Sequence, residues 1–191
     1  SSLSLVGFAG ILGSNARTLA TWVRTTSNGQ IVRWGDSSVS GGAFGVSVTS
    51  NEATVGVVCS SGGHCGTASV VDGSWHHVAI VAPAGFSSTE ALIFVDGMLQ
   101  VESNGVNSRD LDTVAGEDVV VGEGFQGSLD DLRIYNRALT VAEVRALVAN
   151  RPCAVDADCE DGNACTAASC LASGVCEMTS VACSPQSQVW Q

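Results

Sequence analysis

The chain has 191 residues, of which 45% are apolar and 14% charged, with 22 glycines and only 3 prolines. This length suits one medium domain with a small appendage, and the apolar content argues against a disordered chain. All eight basic residues are arginine, and the net charge is −11. Such an acidic surface repels phosphate backbones and anionic lipids, so nucleic acid and membrane insertion are not expected.

Eight cysteines, an even number, indicate an oxidising compartment. The chain begins at Ser1 without the basic and apolar regions of a signal peptide. No apolar run approaches the roughly 20 residues that a membrane helix needs. We therefore expect a secreted, extracellular protein, or a piece of one, whose signal peptide has been removed.

Short β-prone runs recur over residues 1–150, separated by Gly, Ser, Asn and Asp. Their even spacing predicts an all-β fold, a two-sheet antiparallel jelly-roll sandwich. Asp96-Gly97 predicts a two-residue hairpin, because both residues tolerate the positive φ angles of a type I′ turn. The predicted strands are Ser4–Phe8, Thr18–Thr25, Gln30–Trp34, Ala43–Thr49, Ala53–Cys59, His77–Ala82, Ala91–Val95, Met98–Glu102, Asp118–Gly122 and Leu129–Tyr135.

One short helix is predicted over about residues 141–149, at the end of the sandwich domain. Thr140 and Glu143 form the pattern of a capping box, in which the two side chains satisfy backbone N–H groups at the helix start. Arg151-Pro152 then ends the helix. Its apolar stripe consists of Val141, Val144, Leu147 and Val148.

The composition changes at Cys153, and a small disulfide-rich module is predicted over residues 151–183, followed by a tail over 184–191. The residues between the cysteines are too small to form a core, so disulfides must hold this module together. Six cysteines allow 15 connectivities, and the pairing stays open. These cysteines are Cys153, Cys159, Cys165, Cys170, Cys176 and Cys183.

Four segments, Arg17–Arg24, Asp72–Ile80, Leu92–Gly97 and Gly127–Leu139, together resemble motifs of the laminin-G-like, concanavalin-A-like jelly-roll family. The resemblance covers about residues 1–148 and implies a binding module, often with one calcium ion at the sheet rim. The chain departs from the family at Leu5-Val6-Gly7, where a usual acidic residue and calcium ligand is missing.

The cysteine-rich segment Asp156–Thr166 resembles the D-x-D-C-x-D-G-N-x-C-T repeats of secreted proteins from environmental bacteria. It crowds four oxygen donors into eight residues but lacks the distal Glu of an EF-hand. A small calcium site is one interpretation, and Asx-turns with solvated acids are the other. The four donors are Asp156, Asp158, Asp161 and Asn163.

Asp130 is the candidate calcium ligand of the sandwich. Period-two alternation in Leu129–Tyr135 predicts that Asp130 faces inward with Leu132 and Ile134, whereas Asp131 faces solvent. A buried carboxylate needs a metal ion or hydrogen-bond donors. The alternative to calcium is therefore a hydrogen bond from backbone N–H groups or from a histidine of the Trp75–Val78 strand.

The three histidines are expected to be structural rather than zinc ligands. His76 and His77 are adjacent in a strand and point to opposite faces, so they cannot simply share one metal, and His64 lies in a loop. Cys59 and Cys65 flank that loop, and we expect a disulfide between them, with a zinc or redox site as the alternative.

The tryptophans are expected to divide between core and surface. Trp22 and Trp75 lie inside strand motifs and are predicted core residues. Trp34 borders a turn and is a candidate sugar-stacking residue, and Trp190 in the tail is a candidate interface residue.

These patterns favour a secreted, non-catalytic recognition or adhesion module that binds an extracellular glycan or protein, with calcium as a candidate cofactor. The alternative is a structural subunit of an extracellular assembly, a homo-oligomer or polymer that uses its terminal segments and cysteine-rich module for contacts. A glycoside hydrolase ranks third, because the Glu-x-Asp-x-x-Glu strand of related glucanases is absent.

Overall fold

The computed structural model describes residues 2–49, 55–59, 62–66, 68–100, 110–148, 153, 155–159 and 166–181. The chain divides into two compact units, residues 1–148 and 149–191. None of the described helices has both the length and the apolar content required to cross a membrane. The strands are β1 (Leu3–Ser4), β2 (Arg17–Thr25), β3 (Gly29–Gly35), β4 (Ala43–Val48), β5 (Val55–Cys59), β6 (Gly62–Cys65), β7 (Trp75–Ala82), β8 (Leu92–Val95), β9 (Met98–Leu99), β10 (Glu117–Val121), β11 (Gly127–Tyr135), β12 (Thr166–Cys170) and β13 (Cys176–Ser180), and the helix is α1 (Val141–Val148).

The first unit is a sandwich of two antiparallel sheets, which confirms the predicted fold class. One sheet has six strands in the order β1-β10-β3-β4-β5-β6, and the other has five in the order β11-β2-β7-β8-β9. Alternate residues of facing strands meet between the sheets and form one continuous apolar core. Its largest members include Trp34, Phe44 and Phe86.

The helix α1 covers the outer face of the five-stranded sheet. Leu139 and Val144 pack there against Ala20, Ala79 and Phe94 in a second apolar cluster. The capping box is present, because the Thr140 amide donates to Glu143 over 2.8 Å and the Glu143 amide donates back to the Thr140 hydroxyl over 3.3 Å.

The Asp96-Gly97 hairpin has the predicted type I′ geometry. Both turn residues have positive φ, 51° for Asp96 and 74° for Gly97. Val95 then pairs with Met98 at the start of the short strand β9. The turn therefore sets the register of this edge of the sheet.

Arg17 is a fully buried cation at the start of β2 and has no carboxylate partner among the described residues. Its guanidinium ties the loop before β2 to the segment that precedes β10, and it lies near the rings of Phe44 and Phe86. Burial lowers the pKa of Arg17 to about 10, so the group stays charged at neutral pH. The acceptors are the carbonyl oxygens of Ile11 (2.7 Å), Gly13 (2.6 Å) and Asn15 (3.0 Å) and the hydroxyl of Thr113 (2.8 Å).

The second unit contains the β12–β13 hairpin and two adjacent disulfides, which agrees with a disulfide-held module. Cys153 bonds to Cys170 and Cys159 bonds to Cys176, each pair 17 residues apart in sequence. Three of these sulfur atoms lie within 4.8 Å of one another, but all are bonded in disulfides and so are not thiolate metal ligands. Cys165 and Cys183 lie outside the described residues.

The predicted disulfide between Cys59 and Cys65 is not supported by the backbone. Residues expected to form a loop instead form the strand β6, which pairs Cys59 with Gly62 and Cys65 with Gly56. Three residue steps along the ladder separate the two cysteines by about 10 Å, beyond the Cα–Cα reach of a disulfide. The sequence predicts a loop that closes two strand ends, whereas the backbone continues the hairpin through β6.

We predict that R17K lowers the free energy of unfolding by about 2–4 kcal/mol, because an ammonium group cannot reproduce the four charged hydrogen bonds of the guanidinium. Denaturant unfolding measures the change. R145K, at an exposed position on α1, is the control and should stay within about 0.5 kcal/mol of the parent. An equally small effect of R17K would show that the buried cation does not hold these loops.

Candidate functional site

An open cleft of about 380 Å³ lies where β2 ends and both of its neighbours begin. The three strands β11, β2 and β7 are adjacent in the sheet, so the antiparallel order brings these ends together. Among the described residues, the lining carries guanidinium, amide and hydroxyl groups but no carboxylate, imidazole or thiol. The lining residues are Arg24, Thr25, Thr26, Gly73, Gln126, Gly127 and Ser128.

A cross-strand row places two of these lining side chains, Ser128 and Arg24, beside Trp75, which is not itself a lining residue. Ser128 of β11 is opposite Arg24 of β2, and Arg24 is opposite Trp75 of β7. Side chains of directly opposed residues share one face of a sheet. The Arg24 guanidinium accordingly lies over the Trp75 ring, 5.0 Å from its centroid.

Thr25 holds the walls of the cleft in place. Its hydroxyl lies 2.6 Å from the carbonyl oxygen of Gln126 and 2.8 Å from that of Ser27, and it accepts a hydrogen bond from the Ser27 amide. The Gly73 amide donates to the Thr25 carbonyl over 3.1 Å. At Gly127 any Cβ would collide with the Arg24 carbonyl oxygen, so glycine is required there.

A family model described as the concanavalin A-like lectin/glucanases superfamily matches residues 4–145 of the chain. The match spans most of the sequence and coincides with the two-sheet unit. The chain belongs to this superfamily. The two-sheet unit is thus the part of the chain that belongs to this superfamily, and the cleft lies at one end of its five-stranded sheet.

Solved structures with similar folds come from distant proteins. The native heptameric SAP-like pentraxin of Limulus polyphemus has a TM-score of 0.50 at 20% identity, covering 74% of this chain and 73% of its own. The CBM40 of the Ruminococcus gnavus IT-sialidase has a TM-score of 0.53 at 16% identity, covering 71% and 84%. These likenesses support the fold alone. A search of curated proteins found no match.

Asp130 does not face inward as predicted. A bulge lies between Asp130 and Arg133, and Asp131 within it has a positive φ of 47°. The extra residue puts Leu129 and Leu132 on the core side and leaves Asp130 exposed, opposite Trp22 on the outer face.

The surroundings of Asp130 do not form a calcium cage. Its carboxylate accepts a hydrogen bond from the Asp131 amide over 2.7 Å, and the Asp131 carboxylate is paired with Arg133 over the same distance. An arginine at this position competes with a cation for the second carboxylate. The Asp130 carboxylate thus accepts a backbone hydrogen bond, which is the alternative that the sequence left open beside calcium.

Neither Trp34 nor Trp75 has the burial predicted from the sequence. Trp34 is 1% exposed, packs against Phe44 with ring centroids 4.6 Å apart, and donates its indole N–H to Ile11. Gly10 lies against its ring, so no sugar can stack there. Trp75, predicted as core, is instead only partly buried beneath Arg24.

His76 and His77 lie on opposite faces, as the strand alternation predicts. The two ring nitrogens of His76 lie 2.8 Å from an Asp96 oxygen and 3.1 Å from an Asp72 oxygen, on the core side of the sheet. These hydrogen bonds, the one with Asp96 first, raise the pKa of His76. The His76 ring therefore links the hairpin turn to the loop that leads into the cleft.

His77 packs edge-to-face on the buried Trp22, with ring centroids 5.3 Å apart. Its Nδ1 is buried without a hydrogen-bond partner among the described residues. Burial lowers the pKa of His77 to about 4, so the imidazole is neutral at physiological pH. The side chain of His64 lies outside the described residues.

The acidic segment of the cysteine-rich unit is described only in part. Asp156 begins a short 3-10 helix, Asp156–Cys159, and its carboxylate accepts a hydrogen bond from the Cys170 amide over 2.7 Å. Asp161, Asn163, Trp190 and the side chain of Asp158 lie outside the described residues. The proposed calcium site in this segment stays a prediction.

Arg24, Gln126 and Ser128 are not marked as site residues by the sequence. No motif marks them, because each is an ordinary polar residue at a strand end. Only their positions in the strands could have identified them. If the strands that contain Trp22 and Trp75 are paired as β2 and β7, Arg24 lies opposite Trp75.

We predict that His77 makes the protein less stable in acid. Its folded-state pKa is below that of the unfolded chain, so stability falls by up to roughly 1.4 kcal/mol per pH unit between pH 6.5 and about 4. H77F should flatten the dependence of unfolding free energy on pH in that window. H76Q is the control: the folded-state pKa of His76 is raised, so its contribution to stability is lost as pH rises above this window and not as pH falls through it. A wild-type slope in H77F would contradict the assignment.

Proposed function

We propose that this chain is a secreted, non-catalytic recognition module that binds an extracellular glycan in the cleft at the end of β2. The row of Ser128, Arg24 and Trp75 is the observation that carries the proposal. An arginine, an amide and several hydroxyls converge there on one open cavity, which is the mixture of groups that recognises sugar hydroxyls.

The cleft favours binding over catalysis. Glycoside hydrolysis needs two carboxyl groups about 5–10 Å apart, flanking the scissile bond. No Asp or Glu lines the cleft in the part of the chain that the structure describes. The nearest acid along the chain, Asp72, is bonded to the Ser74 amide and to His76.

Calcium is a separate part of the proposal. The acids that would hold it are those of the Asp156–Asn163 segment, and hard oxygen ligands suit this ion. Because the cleft offers its own charged and polar groups, we expect the glycan to bind without calcium.

The test is a glycan array probed with the full chain, with calcium and with EDTA, beside the variant W75A. We expect defined glycan hits that survive EDTA, and at least a tenfold loss in W75A, because truncating Trp75 removes the surface on which Arg24 rests. L92A, at an exposed position of the same sheet, is the matched control and should bind normally. The absence of any hit would refute glycan binding, and loss in EDTA restored by calcium would show that a metal site is needed.

The second candidate function is self-assembly of this chain into an oligomer or polymer. A groove at the edge of the sandwich where β1 and β11 lie favours it. The groove has a volume of about 280 Å³ and runs between the edge strands β1 and β11. Leu3, Val121, Phe125 and Leu129 give it an apolar lining. An exposed sheet edge beside apolar surface is suited to accept a strand from another chain.

We predict that, if this groove mediates assembly, light scattering shows a mass that rises with protein concentration. L3E, which adds a charge at an exposed groove position, should then return the protein to the monomer mass. V6E, at an exposed residue near the same end of the chain, is the matched control. A monomer at all concentrations up to about 100 μM would contradict the assembly function.

A further inference from the structure

Arg24 differs from the other arginines that the structure describes. It is exposed, and the described residues give its guanidinium no ion pair and no hydrogen bond. Each of the other five has an oxygen partner. Arg17 bonds to carbonyl and hydroxyl oxygens, Arg33 to Glu117 and Glu123, Arg133 to Asp131, Arg137 to Glu143, and Arg145 to the Gly97 carbonyl.

Trp75 orients this uncommitted cation. The guanidinium lies over the indole ring, 5.0 Å from the centroid, and the two residues are held opposite each other by the β2–β7 register. A guanidinium stacked on an aromatic face keeps its N–H groups at the edge, where they can reach a ligand. The fork of donors matches a carboxylate, or another oxyanion, in a bidentate geometry.

The rest of the cleft provides neutral polar groups around that cation. Gln126 and Ser128 line the wall on the β11 side and Thr26 lines the turn after β2. The Oγ of the neighbouring Ser27 is buried without a hydrogen-bond partner among the described residues. Such a site offers one positive charge and several hydroxyl or amide partners to a ligand that carries one negative charge and several hydroxyls.

We propose that the cleft recognises a single acidic sugar residue whose anionic group, a carboxylate or a sulfate ester, pairs with Arg24. This inference rests on the proposed glycan-binding function and names the class of sugar. The net charge of −11 disfavours a polyanionic glycan, because its other negative charges would be repelled by the acidic protein surface. A single acidic sugar within a neutral glycan interacts mainly with the nearby charge of Arg24. Repulsion from protein groups beyond about 8 Å is screened at physiological salt.

The test uses three oligosaccharides that differ only at C6 of the terminal sugar, which is glucose, glucuronic acid or glucose 6-sulfate. Affinities for the full chain are measured by titration calorimetry, together with a broad array of neutral, carboxylated and sulfated glycans. The variants are R24Q, R24K and R145Q. R145Q removes the same charge from an exposed position on α1 and is the matched control for net charge.

We expect acidic glycans to dominate the array hits and at least one acidic probe to bind more tightly than the glucose probe. R24Q should weaken that binding about 10- to 100-fold, R24K should fall between R24Q and the parent, and R145Q should bind as the parent does. Rising NaCl should weaken binding of the acidic probe in the unaltered protein, which tests the charge pairing without any substitution. The preferred C6 group distinguishes a carboxylate from a sulfate.

Two results would overturn the inference. If only neutral glycans bind, and R24Q binds them as the parent does, the glycan-binding function is retained but the inference of an acidic sugar is wrong. If no glycan binds, both the glycan-binding function and the acidic-sugar inference are wrong.

Discussion

The in-register pairing of β2 with β7 is the constraint on which the rest of the sandwich depends. Eight consecutive pairs run from Arg17 opposite Ala82 to Arg24 opposite Trp75. Because side chains alternate between the faces, this one register puts Val23 into the core, Ala20 under the helix α1, and Arg24 beside the cleft. A slip of one residue would turn every side chain to the other face and bury the cleft arginine. Structure and candidate site are thus fixed by the same ladder.

The fold could be predicted because local interactions specify much of it. Asp96-Gly97 sets a type I′ turn with two positive φ angles, and Thr140 with Glu143 caps the helix, whatever surrounds them. The alternation of apolar residues then requires that each sheet bury one face. Strand lengths were less predictable: β1 ends at Ser4, well before the predicted Phe8, because only two residues pair with β10. The predicted and observed ends of α1 agree to within a residue, because the capping box marks the start of the helix and the apolar stripe marks its length.

The candidate site could not be predicted in the same way, because it depends on irregular backbone and on pairs distant in sequence. One inserted residue at Asp131 reverses the direction of Asp130, and no period-two pattern reveals a bulge before the partner strand is known. Trp34 borders a turn in sequence, yet Gly10 from a remote loop covers its ring. Disulfide pairs such as Cys153–Cys170 likewise follow from chain topology rather than from spacing.

The strong negative charge of the chain and the cation in its cleft are compatible because most described acids are engaged locally. Asp118 accepts from the Gly7 amide, Asp36 from Ser38, and Glu90 from the Ser87 amide, so these carboxylates organise turns. Others neutralise arginines that brace strand ends, as Glu143 does for Arg137. Net charge then governs which partners approach from a distance, whereas the local field in the cleft follows from Arg24 and its neutral neighbours. Composition alone therefore describes the surface of this protein but not the candidate cleft, where the Arg24 guanidinium has no ion-pair partner among the described residues.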